Sequence, residues 1–132
     1  MKKLRIGSLI ACLVIIVFCF AGCEDSTISN VVLSNTQITE ESALNSSADT
    51  AIQSGKDLYA NVLFVESPKG MKYTAKWIKD KKTLKTDKQA MTSDKKGIIS
   101  FELDGNQVTD GKCTFEIDYK DKKIYSKDFS VS

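Results

Sequence analysis

Cys113, Phe115, Ile117 and Tyr119 alternate with Lys112, Thr114, Glu116, Asp118 and Lys120, and this is the cleanest pattern in the chain. A run that changes character at every residue has period two, and only an extended strand sends successive side chains to opposite faces. The same beat recurs three times. Met71, Tyr73, Ala75 and Trp77 alternate with Lys72, Thr74 and Lys76, and Ile99, Phe101 and Leu103 with Ser100, Glu102 and Asp104. In the last segment Tyr125, Phe129 and Val131 share one side. Apolar-in, polar-out alternation is what an antiparallel sheet with one solvated face produces. Leu58 to Val65 is instead almost continuously apolar, which predicts a strand buried on both sides.

Turn chemistry separates these runs. Ser67-Pro68-Lys69-Gly70 combines a fixed φ with a residue that tolerates positive φ. Asp80-Lys81-Lys82, Ser93 to Gly97, Asp104-Gly105-Asn106 with Asp110-Gly111, and Lys120-Asp121-Lys122 mark further turns. A first strand is predicted from Val31-Val32-Leu33 to Ile38, and a short polar one from Thr83 to Met91. Glu40 to Gly55 reads as a long surface connection from which Ile52 dips into the core. No helical period of useful length follows residue 29. About seven strands with regularly spaced turns predict an all-β sandwich.

The N-terminus has a different grammar. Lys2, Lys3 and Arg5 precede an unbroken apolar run from Leu9 to Phe20, and the small residues Ala21-Gly22 follow. This is the three-part layout of a secretory signal peptide, and the run is shorter than the roughly 20 residues a bilayer span needs. Phe20-Ala21-Gly22-Cys23 resembles a bacterial lipobox, with Phe20 standing where the pattern usually has leucine. The resemblance implies cleavage before Cys23 and a diacylglyceryl group on its sulfur. One acyl chain binds membranes only reversibly, whereas two at one residue anchor stably. The expected organisation is a signal peptide at 1–22, a tether at 23–28 and one β-sandwich domain at 29–132. The expected location is the extracytoplasmic side of the cell membrane, attached through Cys23.

Removing the first 22 residues changes what composition implies. Three of the 19 basic residues and none of the 17 acids lie before Cys23, so the remainder carries sixteen lysines against seventeen acids, a balance of −1. Nucleic acid therefore loses its main support as a partner. Cys12 and Cys19 lie in the apolar run, which leaves Cys113 with no partner for an internal disulfide. The chain has no histidine, and arginine is absent after Arg5. Serine–histidine and cysteine–histidine catalysis and the common zinc sites are excluded on that basis.

Asp57-Leu58-Tyr59, Pro68-Lys69-Gly70, Lys76-Trp77, Ser100-Phe101, Gly111-Lys112 and Asp128-Phe129-Ser130-Val131 resemble the immunoglobulin-like domains of bacterial surface lipoproteins. The likeness spans residues 29–132. It implies an immunoglobulin-like antiparallel sandwich with Trp77 facing the core between the sheets. It says little of activity, since such folds host many functions. Cys113 stands where such domains often carry a tyrosine.

Individual candidates resolve mostly into structure. Cys113 lies on the apolar side of its strand and reads as a buried hydrophobe. Asp104, Asn106 and Asp110 offer oxygen ligands, but Val108 interrupts the calcium-loop spacing and a terminal glutamate is missing. Glu102, Glu116 and Asp118 fall on outward positions among lysines and read as a solvated surface. Trp77 and Tyr73 fall on the core side. No catalytic residue, metal, cofactor or small-molecule substrate is expected.

Charge asymmetry is the remaining signal. Cys23 to Pro68 holds seven acids and one lysine, while Lys69 to Ser132 holds fifteen lysines and ten acids. Lys72 and Lys76 share the outward side of one strand, and Lys79, Lys81 and Lys82 extend that face around the turn toward Lys85 and Lys88. The set forms a candidate face for an anionic ligand, with lysines that merely solubilise a sheet as the plainer explanation. The acidic first part folding back onto them would serve the same end. The sequence thus points to a membrane-anchored binding or structural module whose partner is an envelope protein or an anionic polymer. A protease-inhibitor-like domain and an exported hydrolase are the alternatives.

Overall fold

A computed structural model describes residues 27–47 and 51–132; the apolar run and Cys23 lie outside the described residues. The strands are β1 (Ile28–Ser34), β2 (Leu58–Ser67), β3 (Lys72–Lys79), β4 (Lys82–Ala90), β5 (Lys95–Leu103), β6 (Gly111–Tyr119) and β7 (Lys122–Val131). One short helix, α1 (Glu41–Ser46), interrupts the first connection. The strands form two sheets, ordered β1-β2-β5 and β4-β3-β6-β7, with antiparallel pairing throughout. In the seven-strand constant-type immunoglobulin arrangement the fourth strand lies with the first, second and fifth. Here β4 sits beside β3 instead.

Alternation builds the core as expected. Leu58, Ala60, Val62 and Phe64 of β2 meet Tyr73, Ala75 and Trp77 of β3, Ile99, Phe101 and Leu103 of β5, and Cys113, Phe115 and Ile117 of β6. Trp77 is 1% exposed and packs on Phe115 with ring centroids 4.6 Å apart and on Phe129 at 6.1 Å. Phe64 stacks on Tyr73 at 4.2 Å, and the Tyr73 hydroxyl is satisfied by Ser67 Oγ at 2.6 Å. Fully burying one such side chain contributes about 1.5–3 kcal/mol, so aromatic packing holds the sheets together without a disulfide.

The two hairpins of the larger sheet repeat each other residue for residue. In β3–β4 a two-residue turn, Asp80-Lys81, is followed by a bulge that leaves Leu84 unpaired between Thr83 and Lys85. In β6–β7 the turn is Lys120-Asp121 and Ile124 takes the place of Leu84. All four turn residues have positive φ, as a type I′ turn requires. Leu84 and Ile124 both pack against the core.

The connection from β1 to β2 departs from expectation. β1 ends at Ser34, short of Ile38, because two asparagines pull the chain off the sheet. Asn61 is fully buried. Its Nδ2 donates to the Val32 and Thr36 carbonyls, and its Oδ1 accepts from Ile38 N–H at 2.9 Å and Ser100 Oγ at 2.7 Å. Asn35 bonds the backbone of Gln53 and Asp57. The chain thus folds across the outer face of the smaller sheet, where Leu44 of α1 packs against Val32 and Leu63. Ile52 then enters the core, as expected, and bridges Val131 in parallel.

Candidate functional site

The larger sheet's outward face carries Lys72, Thr74 and Lys76 from β3, Lys88 from β4, Thr114, Glu116 and Asp118 from β6, and Lys123 and Asp128 from β7. Cross-strand pairing dictates who meets whom. Lys76 Nζ lies 3.0 Å from Asp118 Oδ2, and Lys123 Nζ lies 3.4 Å from Glu116 Oε2. The Asp118 carboxylate raises the Lys76 ammonium above its usual pKa, first by hydrogen bonding and then by charge. Thr114 Oγ1 donates to Asp128 Oδ1 at 2.8 Å. Among the described residues, the middle of the lysine face is therefore neutralised from within the sheet, by β6 carboxylates. The acidic first part of the chain supplies one described ion pair, Glu41 with Lys96 at 2.7 Å.

The five singled-out lysines separate into distinct environments. Lys72 is exposed where β3 begins, and Lys76 is engaged at its middle. Lys79, where β3 ends, donates to Thr109 Oγ1 and to the Asp110 carbonyl at 2.6 Å. Lys81 and Lys82 are exposed beside it on the β3–β4 turn. Lys85 turns to the sandwich edge and donates to the Glu102 carbonyl at 2.7 Å, and Gln89 donates to the Ser100 carbonyl at 3.3 Å. Together these two close the edge of β5 that no strand covers.

Sequence spacing missed one grouping. Lys72 and Lys88 share a cleft of about 410 Å³ with Lys120 of the β6–β7 turn, Thr74 and Tyr119. The only signal available was the repeat of the two hairpins, which sets Lys120 of one at the base of the other.

Other candidates take plain structural roles. Cys113 is a buried free thiol, pushed above its ordinary pKa mainly by burial, with Lys79 acting in the opposite sense. Asp104 caps a single 3₁₀ turn by accepting from Asn106 N–H, and Asp57 accepts from Gly105 N–H. Gly105 has no room for a side chain, since a Cβ would lie 2.8 Å from the Gly55 carbonyl oxygen. Val108 is buried rather than turned toward the loop oxygens. Glu102 is exposed, as expected. Asp118 faces outward but is only 9% exposed, because Lys76 covers it; the expectation of a freely solvated carboxylate is corrected there.

Two packed antiparallel sheets of three and four strands, with a tryptophan of the third strand in the core, define an immunoglobulin-like β-sandwich. The chain is similar in fold to an immunoglobulin-like protein from Pseudomonas aeruginosa, at 12% identity and a TM-score of 0.48, over 79% of this chain and 93% of that one. An alkylpurine DNA glycosylase from Pseudomonas fluorescens bound to DNA with an abasic-site analogue is similar at 9% identity and a TM-score of 0.40, over 80% of this chain and 30% of that one. Both likenesses concern fold alone. No protein-family model and no curated protein matches the chain.

Proposed function

We propose that this chain is an exported lipoprotein, held on the extracytoplasmic side of the membrane through Cys23, whose sandwich is a binding or structural module without catalysis of its own. One observation carries the reading: the apolar run Leu9 to Phe20 ends in Ala21-Gly22-Cys23 and gives way at once to Glu24-Asp25-Ser26-Thr27. An apolar tag, a small-residue cleavage signal, a cysteine and a polar tether follow in the order that lipid attachment requires.

The domain suits a tethered life. Four residues, and so five Cα-to-Cα steps, separate Cys23 from Ile28, where β1 begins, a reach of at most about 18 Å. A sandwich on so short a leash works beside the bilayer, presenting its far loops to an envelope protein or an anionic polymer. Binding rather than turnover fits a chain without histidine, whose lone domain thiol is buried and protonated. Cys23→Ser is expected to move the protein from the membrane fraction to the medium or leave it as an uncleaved precursor. Unchanged fractionation at unchanged mass would sink the reading.

A further inference from the structure

Ile28 pairs with Phe64 near the end of β2, so the chain enters the sandwich at one defined end. That end also carries the β2–β3 turn, the β4–β5 loop and the β6–β7 turn. It is where Lys72, Lys88 and Lys120 line one cleft of about 410 Å³. Thr74 lies directly opposite Lys88, and Lys72 opposite Ala90, which makes Lys72 and Lys88 diagonal neighbours on the outward face. Diagonal neighbours in an antiparallel pair stand roughly 7–8 Å apart, a span that one phosphate group can bridge.

None of the three lysines is engaged in an ion pair among the described residues, and Lys120 lies 5.4 Å over the Tyr119 ring. Asp121 is the one carboxylate lining the cleft with these three lysines, so the cleft keeps a net positive charge that an entering anion offsets. Lys69 and Lys95 add exposed positive charge at the same end, against Glu66, Asp94 and Asp121. The opposite end is balanced differently. Lys56, Lys79, Lys81, Lys82 and Lys112 stand there with Asp57, Asp80, Asp104 and Asp110, closer to neutrality, and Lys79 is occupied by Thr109 and the Asp110 carbonyl.

We propose that the end bearing Lys72, Lys88 and Lys120 docks on the bilayer and takes anionic lipid headgroups, so that the β3–β4 turn and β5–β6 loop point away from the membrane. This rests on attachment through Cys23, and the tether is what makes the contact effective. Charges act over a Debye length of only about 8 Å at physiological salt, so a weak basic end needs to be delivered to the surface. Half-exposed Tyr119 and Met71 beside the lysines suit the boundary between headgroups and acyl chains.

The test uses the full chain purified from its own membranes and reconstituted into vesicles, with lysine acylation read peptide by peptide. In vesicles containing phosphatidylglycerol, Lys69, Lys72, Lys88, Lys95 and Lys120 are expected to be protected several-fold relative to Lys81 and Lys82. Protection should disappear in phosphatidylcholine alone and at high salt. In the triple variant Lys72→Gln, Lys88→Gln, Lys120→Gln, protection of Lys69 and Lys95 should be lost. Each removed charge weakens attraction to an anionic surface by roughly fivefold, about a hundredfold for all three. Equal labelling of both ends in both vesicle types overturns the docking. So does protection gained only from added soluble polyphosphate, which would assign the cleft to a polymer. The mass of the Cys23 peptide reports anchoring separately. A lipid mass without protection defeats the docking alone, and protection without a lipid mass defeats the anchor alone.

Discussion

Cys113 shows how burial decides the chemistry of a single side chain. It projects inward from β6, next to the β3–β4 turn, where Lys79 favours the thiolate and Asp80 opposes it. Desolvation, the largest effect and reinforced by Asp80, outweighs Lys79, so the thiol titrates above its ordinary value of 9.0. A group whose folded pKa is raised contributes stability below its unfolded pKa and loses it as pH climbs toward the folded value. The protein should therefore weaken on the alkaline side, beginning near pH 9.0. At that pH an unshifted thiol is half ionised and reacts readily with iodoacetamide. The peptide containing Cys113 should take up little label in the native protein and become fully labelled in denaturant. Rapid native labelling would contradict its placement.

At the level of elements, the repeated hairpins carry a removable strain. Asp80, Lys81, Lys120 and Asp121 adopt φ of 52°, 65°, 50° and 65°, where a non-glycine residue costs roughly 1–2 kcal/mol. The preferred type I′ sequences place glycine second, at Lys81 and at Asp121. Lys81→Gly and Asp121→Gly should each stabilise the protein by about 0.5–1 kcal/mol after glycine's greater unfolded-state entropy is deducted. Shifts of the denaturant midpoint in opposite directions would show that the hairpins are not equivalent. These strands were legible because a sheet with one wet face writes its period directly into side-chain polarity. α1 was not, since six residues with one buried leucine are too few to establish a helical period. The lysine face was legible only as a density of charge. Lys72 and Lys79 open and close the same eight-residue strand, roughly 25 Å apart, and pairing with β6 rather than chain proximity decides which lysines are neutralised.

Across the whole molecule, β2 is the strand that two apolar layers share. Leu58, Ala60, Val62 and Phe64 face the larger sheet, while Leu63 and Val65 face outward with Val32 and Ile98. An exposed apolar sheet face invites association, and this chain covers it with its own first connection. Leu44 seals the cover from above, Asn61 fastens it from within the sheet, and Glu41 with Lys96 holds its rim. The two layers should separate energetically, because Leu44 touches the small outer cluster and Trp77 the large inner one. Leu44→Ser removes the seal without entering the aromatic core. It should cost about 2–5 kcal/mol, the range for truncating a buried leucine. A dye that binds apolar surface should then fluoresce below the main thermal transition, while Trp77 emission stays blue-shifted until that transition begins. Dye binding and Trp77 exposure rising together would instead make the cover and the sandwich a single cooperative unit.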